Sequence, residues 1–408
     1  MPMLQPVEHS ESGSGPIFLL GNELGQVRPR VPFDAQVLGL LAELSARLRK
    51  HAEARSMPDV QTFAFWCRKA NLQKLKAAHD DHKARLGLGL VFHVAPGNVP
   101  INFAFSLAFG LLAGNTNVVR VPSRQMAQVD VVLSVLGDLL AEPDFASLAE
   151  MIALVRYPAG DAFTADISAR ANGRVIWGGD ETVAEIRKLP LPPRAREVTF
   201  ADRYSFCVMD AAAMLAADDK ALGRLAEGFY NDTYLMDQNA CSSPHLVVWK
   251  GAGKLASVAR KRFWDRLQPI VGDRYPIPAV NAVDKYTDLL VEAASDDGAI
   301  LNINRWRNDI HTVELSCLPD DLETLRGRFG LFHEFTTMAL SDLVPLINGR
   351  FQTLTYYGID KAELQDFIIG NGLTGIDRAV PIGQALDMDT LWDGYDLIHT
   401  LSRIIDLR

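Results

Sequence analysis

The chain has 408 residues, of which 48% are hydrophobic and 22% are charged, a balance that excludes a collagen, a disordered chain and a disulfide scaffold. This length is enough for two or three globular domains. The formal net charge of −9 argues against a nucleic-acid partner, because proteins that bind a phosphate backbone carry clustered positive charge.

Residues 1–15 contain acids, prolines and serines but no apolar core, so we expect no signal peptide. The longest apolar run, 101–113, is too short for a membrane-spanning helix, which needs roughly 20 residues. The four cysteines show no metal-ligand spacing, and in a reducing cytosol they should be free thiols. The sequence therefore predicts a cytoplasmic protein with no membrane span and no metal site.

The first part of the chain reads as helices, followed by an alternation of strands and helices. Leucines at helical spacing predict a helix over 33–54, and a second helical region covers 59–86. Short apolar runs then predict strands at 89–95, 118–122, 152–156, 174–178 and 206–209. The predicted helices between them are 102–113, 126–140, 162–171 and 181–188. Continuous apolar strands separated by helices indicate a parallel sheet covered on both faces.

The same pattern restarts after residue 210. Predicted helices cover 215–230, 254–267 and 279–294, and predicted strands cover 245–249, 299–304, 310–316, 331–336 and 353–357. We therefore predict a doubly wound, dinucleotide-binding domain in 1–210 and a second α/β domain in 211–374. The segment 375–408 is expected to oligomerise or to return to the first domain. Ligands should bind outside the C-terminal ends of the strands.

Three segments that follow predicted strands carry candidate binding residues. Asn98 lies in a turn that opens a helix, and its amide could donate to a ligand, although turns also select asparagine. Arg120 and Ser123 end the next strand and could hold a ribose or a 2′-phosphate, or could be ordinary surface residues.

The third segment is a glycine pair, Gly178 and Gly179, followed by Asp180 and Thr182 at the start of a helix. The missing Cβ atoms would let a cofactor approach the backbone, although such a pair is weak evidence by itself.

Cys241 differs from the other cysteines because small polar residues surround it. Donors in such a turn can stabilise a thiolate, so Cys241 is a candidate nucleophile, with a structural thiol as the equal alternative. The remaining cysteines are predicted to lie in the core, where unpaired cysteine is common. They are Cys67, Cys207 and Cys317.

Taken together and in order, these segments resemble the aldehyde dehydrogenase superfamily, and within it the LuxC-type acyl-CoA reductases that supply long-chain aldehyde in bacterial luminescence. The resemblance runs from about residue 63 to the C-terminus. The matching motifs are Pro96-Gly97-Asn98-Val99-Pro100, Gly114-Asn115, Val119-Arg120-Val121-Pro122-Ser123, Trp177-Gly178-Gly179-Asp180, the segment 237–244 around Cys241, 375–383 and Trp392-Asp393-Gly394-Tyr395-Asp396. It implies an aldehyde-dehydrogenase-like α/β fold, with a Rossmann-type cofactor domain and a second α/β catalytic domain.

The resemblance also implies residue roles. Cys241 is similar to the catalytic thiol and Asn98 to the asparagine that binds the developing oxyanion. Residues near the cofactor, NADPH by analogy, would be Arg120, Ser123, Gly178, Gly179, Asp180 and Thr182. Family habit implies a homo-oligomer.

One departure from the superfamily pattern favours thioester chemistry. Hydrolytic relatives carry a glutamate that activates water, and Phe200 stands in its place. Water needs such a base, whereas a thiol such as coenzyme A needs far less help. We therefore predict NADPH-dependent reduction of an acyl-CoA, or of an acyl group on a carrier or acyl-activating protein, to the aldehyde. The alternatives are an acid-forming aldehyde dehydrogenase with Asp202 or Glu334 as base, and a non-catalytic binding subunit.

Overall fold

The computed structural model describes residues 15–21, 27–295 and 297–408. Residues 1–14, on which the signal-peptide prediction rests, lie outside this part of the chain. The chain divides into two compact units, one made of Met1–Ala201 with Tyr395–Arg408 and the other of Asp202–Gly394. Both units are built on a mostly parallel sheet covered by helices, so the predicted α/β class is confirmed.

The first unit contains a six-stranded sheet and a separate short strand, β2. The strands are β1 Ile17–Leu20, β2 Arg85–Gly87, β3 Leu90–Val94, β4 Thr116–Arg120, β5 Ile152–Arg156, β6 Gly173–Trp177 and β7 Arg196–Phe200. Their order in the sheet is β1-β5-β4-β3-β6-β7, and only β1 runs antiparallel to its neighbour. Every residue of β3 and of β6 is buried, which explains their continuous apolar sequence.

Eight helices of the first unit precede or cover this sheet within the described residues. They are α1 Ala35–Lys50, α2 Pro58–Trp66, α3 Lys69–Ala78, α4 Asn102–Leu112, α5 Ala127–Leu140, α6 Ala146–Ala149, α7 Ala162–Arg170 and α8 Asp180–Arg187. The C-terminal segment adds a short helix, Leu397–Thr400, and a strand, Ser402–Ile404, which pairs antiparallel with β2.

The second unit contains a seven-stranded sheet in the order β10-β11-β12-β9-β8-β13-β14. Its strands are β8 Tyr204–Asp210, β9 Leu246–Lys250, β10 Ile300–Trp306, β11 Ile310–Leu315, β12 Leu331–Thr337, β13 Phe351–Tyr357 and β14 Arg378–Pro381. Its helices are α9 Ala211–Ala216, α10 Asp219–Thr233, α11 Gly253–Arg274, α12 Ala279–Ser295 and α13 Lys361–Gln365. Only β10 runs antiparallel to its neighbour.

Strand β8 shows why the units divide at residues 201 and 202 rather than near 210. It pairs in parallel with β9 and β13, so it lies in the second sheet and not at the end of the first domain. Alternate residues of β8 pack into two different cores, with Phe206 and Val208 on one face and Cys207 and Met209 on the other. Burial on both faces makes β8 a central strand of the second unit.

Candidate functional site

The first unit brings most of the predicted cofactor residues to one edge of its sheet. Strand β3 lies between β4 and β6, and all three run parallel, so the segments that follow them share the C-terminal edge. Asn98 lies in the turn between β3 and α4. It is exposed, and its side chain forms no hydrogen bond within the described part of the chain. Its amide is therefore available to a ligand.

A buried polar chain lies beneath this turn. The ring of His93, in β3, contacts Ser106 Oγ through Nδ1 at 2.8 Å and Asn117 Oδ1 through Nε2 at 3.0 Å. Trp177 donates its indole N–H to Ser106 Oγ at 3.0 Å. The chain therefore connects β3, α4, β4 and β6 directly below the edge that carries Asn98. Burial lowers the pKa of His93 to about 4, so the ring is neutral at pH 7.

We expect this histidine to make the protein acid-sensitive. Its pKa falls from 6.5 in the unfolded chain to about 4 on folding, so the unfolded chain binds more protons between these values. The stabilisation from neutral His93 is complete above pH 6.5 and is lost as the pH falls toward 4, by at most about 3 kcal/mol. Urea unfolding of His93→Gln should therefore show a weaker pH dependence than wild type. The exposed His82→Gln is the control, and equal pH dependence in all three proteins would contradict the prediction.

Arg120 and Ser123 meet at the end of β5. The Arg120 guanidinium and the Ser123 hydroxyl both donate to the carbonyl of Tyr157, at 3.4 and 3.3 Å. The guanidinium also lies 4.9 Å from the centre of the Tyr157 ring. The Nε of Arg120 is buried and has no hydrogen-bond partner among the described residues. The structure thus brings this pair together and leaves one buried donor for a ligand.

The two glycines after β6 have different surroundings. A Cβ on Gly178 would contact the Thr182 side chain at 3.1 Å, so packing within the turn favours glycine there. A Cβ on Gly179 would meet nothing within 4 Å. Gly179 precedes the first residue of α8, Asp180, and the space in front of this helix start is open to a ligand.

Phe200 is part of an aromatic stack at the end of β7. Its ring lies 3.6 Å from that of Trp177, at an angle of 19°, and meets Tyr395 edge-on at 5.8 Å. The position at which the resemblance expects the glutamate of hydrolytic relatives is thus occupied by a packed apolar ring. Phe200 itself offers no base for water.

In the second unit, a fixed loop presents Cys241 to solvent. Asp237 and Gln238 adopt left-handed backbone conformations, with φ of 52° and 62°. The buried Gln238 side chain donates to the carbonyls of Pro244 and Leu331 at 3.2 and 3.0 Å. Ser205 donates to the Cys241 carbonyl at 2.7 Å. The backbone is held on both sides, while Cys241 itself is exposed.

Three residues that had no predicted role influence the pKa of this thiol. Although the Cys241 side chain reaches solvent, the protein packed around it removes part of its water, and this desolvation is the largest cause that raises its pKa. The Asp393 carboxylate raises the pKa further, whereas a hydrogen bond from Gln352 and the charge of Arg203 lower it. Arg203 lies 2.9 Å from Asp393 and also pairs with Asp377. Desolvation raises the pKa of the buried Asp393 to about 6. Asp393 belongs to a family-like motif, which was the one sequence signal for it.

The two acids that were alternative bases, Asp202 and Glu334, and the histidine four residues after Cys241, His245, each have a structural partner. Glu334 is fully buried and accepts hydrogen bonds from Trp249 and Trp264 at 2.8 Å each. Asp202 forms an ion pair with Arg326. His245 contacts the Gly327 carbonyl at 2.9 Å, and burial lowers its pKa to about 3. These contacts give each group a structural role.

The prediction for the remaining cysteines is partly wrong. Cys67 and Cys207 are buried, but Cys317 is exposed. It follows the end of β11 at Leu315, so it no longer continues the buried face of that strand. Among the described residues, no group of three or more His, Cys, Asp or Glu side chains could hold a metal ion. Within the same residues, no helix combines the length and apolar character needed to cross a membrane.

Comparison with known proteins gives a family and a fold. The family model described as acyl-CoA reductase (LuxC) matches residues 44–262, more than half of the chain. A long-chain acyl-protein thioester reductase of Photorhabdus luminescens is 23% identical over 186 residues, 44% of this chain and 37% of that protein. The enzyme of the same name from Aliivibrio fischeri is 24% identical over 165 residues, 40% of this chain and 32% of that protein. The chain therefore matches only about a third of these relatives' length.

Two solved structures show the fold at low identity. The 1-pyrroline-5-carboxylate dehydrogenase from Thermus, with bound NAD, is 12% identical with a TM-score of 0.62, covering 92% of this chain and 81% of that one. An NAD-dependent benzaldehyde dehydrogenase of Corynebacterium glutamicum is 14% identical with a TM-score of 0.60, covering 91% and 84%. The predicted aldehyde-dehydrogenase-like fold is confirmed.

Proposed function

Since the chain belongs to the LuxC family, we propose that it reduces an acyl-CoA, or another acyl thioester, to the aldehyde with NADPH, through an acyl group on Cys241. The observation that carries this proposal is the exposed thiol on a fixed loop, in a chain with Phe200 where hydrolytic relatives have a glutamate. The name of the relatives, long-chain acyl-protein thioester reductase, supports a thioester substrate and adds a protein-bound acyl group as a donor. The homo-oligomer and the cytoplasmic location stay predictions.

The cofactor proposal is supported by the C-terminal edge of the first sheet. The buried, unpartnered Nε of Arg120 and the open space at Gly179 fit an oxygen-rich ligand laid across this edge. We assign Arg120, Ser123 and the turn from Gly178 to Thr182 to the cofactor. A bound NADPH would supply the hydride that reduces the acyl carbon.

The reaction begins at the Cys241 sulfur. The thiol loses its proton, and the thiolate attacks the thioester carbonyl carbon. The bond between that carbon and the donor sulfur breaks, and the donor leaves as a thiol after taking up a proton. After reduction, the hemithioacetal oxyanion collapses, the bond from carbon to the Cys241 sulfur breaks, and the aldehyde leaves. Phe200 supports this course because it supplies no base for water to hydrolyse the acyl-cysteine.

The test of this function is a panel of acyl-CoA thioesters and one acylated carrier protein, each incubated with NADPH. We expect loss of nicotinamide absorbance and formation of one aldehyde per NADPH. No reduction of any thioester would overturn the proposal and favour the non-catalytic subunit. In the reverse direction, aldehyde and NADP should react only when coenzyme A is added, whereas an acid-forming enzyme would proceed without the thiol.

We propose that the side-chain amide of Asn98 and the backbone N–H of Cys241 donate to the oxyanion. The exposed, unpartnered amide of Asn98 supports its part in this role. Asn98→Ala should lower kcat roughly 10²–10³-fold, the usual loss for one oxyanion donor. The midpoint of thermal unfolding should stay at the wild-type value, because the Asn98 side chain forms no hydrogen bond to another described residue. An unchanged kcat would assign Asn98 to the turn alone.

The groups around Cys241 should control how readily the thiol ionises. In a Cys317→Ser background, Gln352→Leu should shift the pH midpoint of alkylation upward, because a hydrogen bond to the thiolate is lost. Asp393→Asn should shift it downward, because a negative charge is removed. The rate of iodoacetamide modification against pH measures both. Identical midpoints in the three proteins would contradict these assignments, whether or not the reductase reaction occurs.

A further inference from the structure

A strongly basic cavity lies in the first unit. It has a volume of about 500 Å³, and Arg85, Arg194, Arg196, Arg403 and His399 are among the residues that line it. This concentration of guanidinium groups contrasts with the formal net charge of −9 for the whole chain. The positive charge is therefore a local property of this cavity and does not reflect the composition of the chain.

The cavity is at the other edge of the sheet from the proposed cofactor residues. Arg196 is the first residue of β7, whereas Phe200 ends that strand. Because β7 runs parallel to β6 and β3, the amino end of β7 lies opposite the edge that carries Asn98. The cavity is thus distinct from the cofactor site assigned above.

Two of the arginines are held in place by the fold. The Nη1 of Arg196 donates to the carbonyls of His399, Thr400 and Ser402 at 3.1, 2.7 and 2.7 Å. Arg85 pairs with Asp81 at 2.7 Å. These contacts fix the two guanidinium groups before any ligand binds, and preorganised donors lower the entropy cost of binding.

The other two arginines lack a counter-ion. Arg194 and Arg403 are exposed and form no ion pair or side-chain hydrogen bond within the described residues. Among the described residues, the carboxylates that pair with the lining residues are Asp81, which contacts Arg85 and also His399 at 3.8 Å, and Asp396, which contacts His399 at 3.0 Å. The four guanidinium groups outnumber these two carboxylates, so the guanidinium and carboxylate charges leave the cavity positive at pH 7.

We propose that this cavity binds the phosphate groups of a small phosphorylated molecule. Guanidinium groups match phosphate oxygens with paired hydrogen bonds, and a doubly charged anion would relieve the repulsion between Arg194 and Arg403. A volume of about 500 Å³ is that of a small-molecule site rather than of a surface for a nucleic acid. The two sources of this chemistry are free diphosphate and the phosphates of coenzyme A.

Calorimetric titration of the full chain with inorganic diphosphate at low salt tests the proposal. We expect wild type to bind with a Kd below about 1 mM and the double variant Arg194→Gln/Arg403→Gln to bind at least about tenfold more weakly. Arg49→Gln removes another exposed arginine of the first unit and should bind like wild type. Absence of binding to wild type, or equal binding by the double variant, would overturn the proposal.

A second titration distinguishes the two sources. If coenzyme A displaces diphosphate and itself binds more weakly to the double variant, the phosphates of coenzyme A are the natural ligand. If coenzyme A does not compete, the site takes free diphosphate. Both titrations measure binding alone, so a failure of the proposed reductase activity would leave their outcome unchanged.

Discussion

Cys241→Ala should lower the rate of thioester reduction by at least about 10³-fold, because no other group can replace the sulfur that carries the acyl chain. The acyl-enzyme should also disappear from the mass spectrum after incubation with acyl-CoA alone. Binding of NADPH should persist, since the residues assigned to it belong to the first unit and Cys241 to the second. Nicotinamide absorbance, intact mass and NADPH fluorescence measure the three effects.

Cys317→Ser is the matched control for this experiment. Cys317 is the second exposed thiol of the second unit, so its loss tests whether any accessible sulfur can accept the acyl group. We expect the control to reduce acyl-CoA at the wild-type rate and to keep the acyl adduct. Wild-type turnover by Cys241→Ala would remove the whole scheme, and an adduct on Cys317 would move the nucleophile to that residue.

The central strands of both sheets could be predicted from the sequence, and of the edge strands β10 was predicted as well, at 299–304, whereas β1, β7 and β14 were not. β3, β5 and β9 are almost entirely buried, so each appears as a continuous apolar run. β1 is only partly buried, and β7 alternates between buried and more accessible residues. These two edge strands bury only part of their surface, so their sequences lack the signal that identified the others.

The sequence identified the loop around Cys241, but it did not identify the residues from distant segments that lie near the thiol. Small polar residues around Cys241 made it a candidate nucleophile, with a structural thiol as the equal alternative, and the structure exposes its side chain. Its electrostatic neighbours Arg203, Gln352 and Asp393 come from distant parts of the chain. The pairing of β8 with β13, in the register Tyr204 to Phe351, brings the first two to the same end of the sheet. Such a register follows from packing of the whole unit rather than from any local pattern.

Glu334 shows a different limit of sequence reasoning. Its strand, β12, was predicted at 331–336 and is observed at Leu331–Thr337. Because both faces of β12 are buried, alternation cannot tell which way a side chain points. A buried glutamate in such a strand must find partners, and here they are two indoles and Arg260 at 3.2 Å.

Replacing Glu334 by leucine should destabilise the second unit by about 3–5 kcal/mol, the usual cost of removing one partner of a buried ion pair. The indole N–H groups of Trp249 and Trp264 would lose their common acceptor. Arg260 would keep its hydrogen bond to the Thr336 hydroxyl, but its remaining charged partner among the described residues would be the partly exposed Glu314. Glu334→Gln should cost less, because its amide oxygen still accepts from both indoles. Urea unfolding followed by tryptophan fluorescence measures the difference, since these indoles report on the same core.

Glu314→Gln is the control, because it removes the charge of the second carboxylate that pairs with Arg260, at a more exposed position than Glu334. We expect it to cost about 1 kcal/mol or less. The double variant Arg260→Met/Glu334→Leu should recover part of the stability lost in Glu334→Leu, since no buried guanidinium is left without its partner. A double variant no more stable than Glu334→Leu would show that the cost comes from the two indoles and the packing around them rather than from the ion pair.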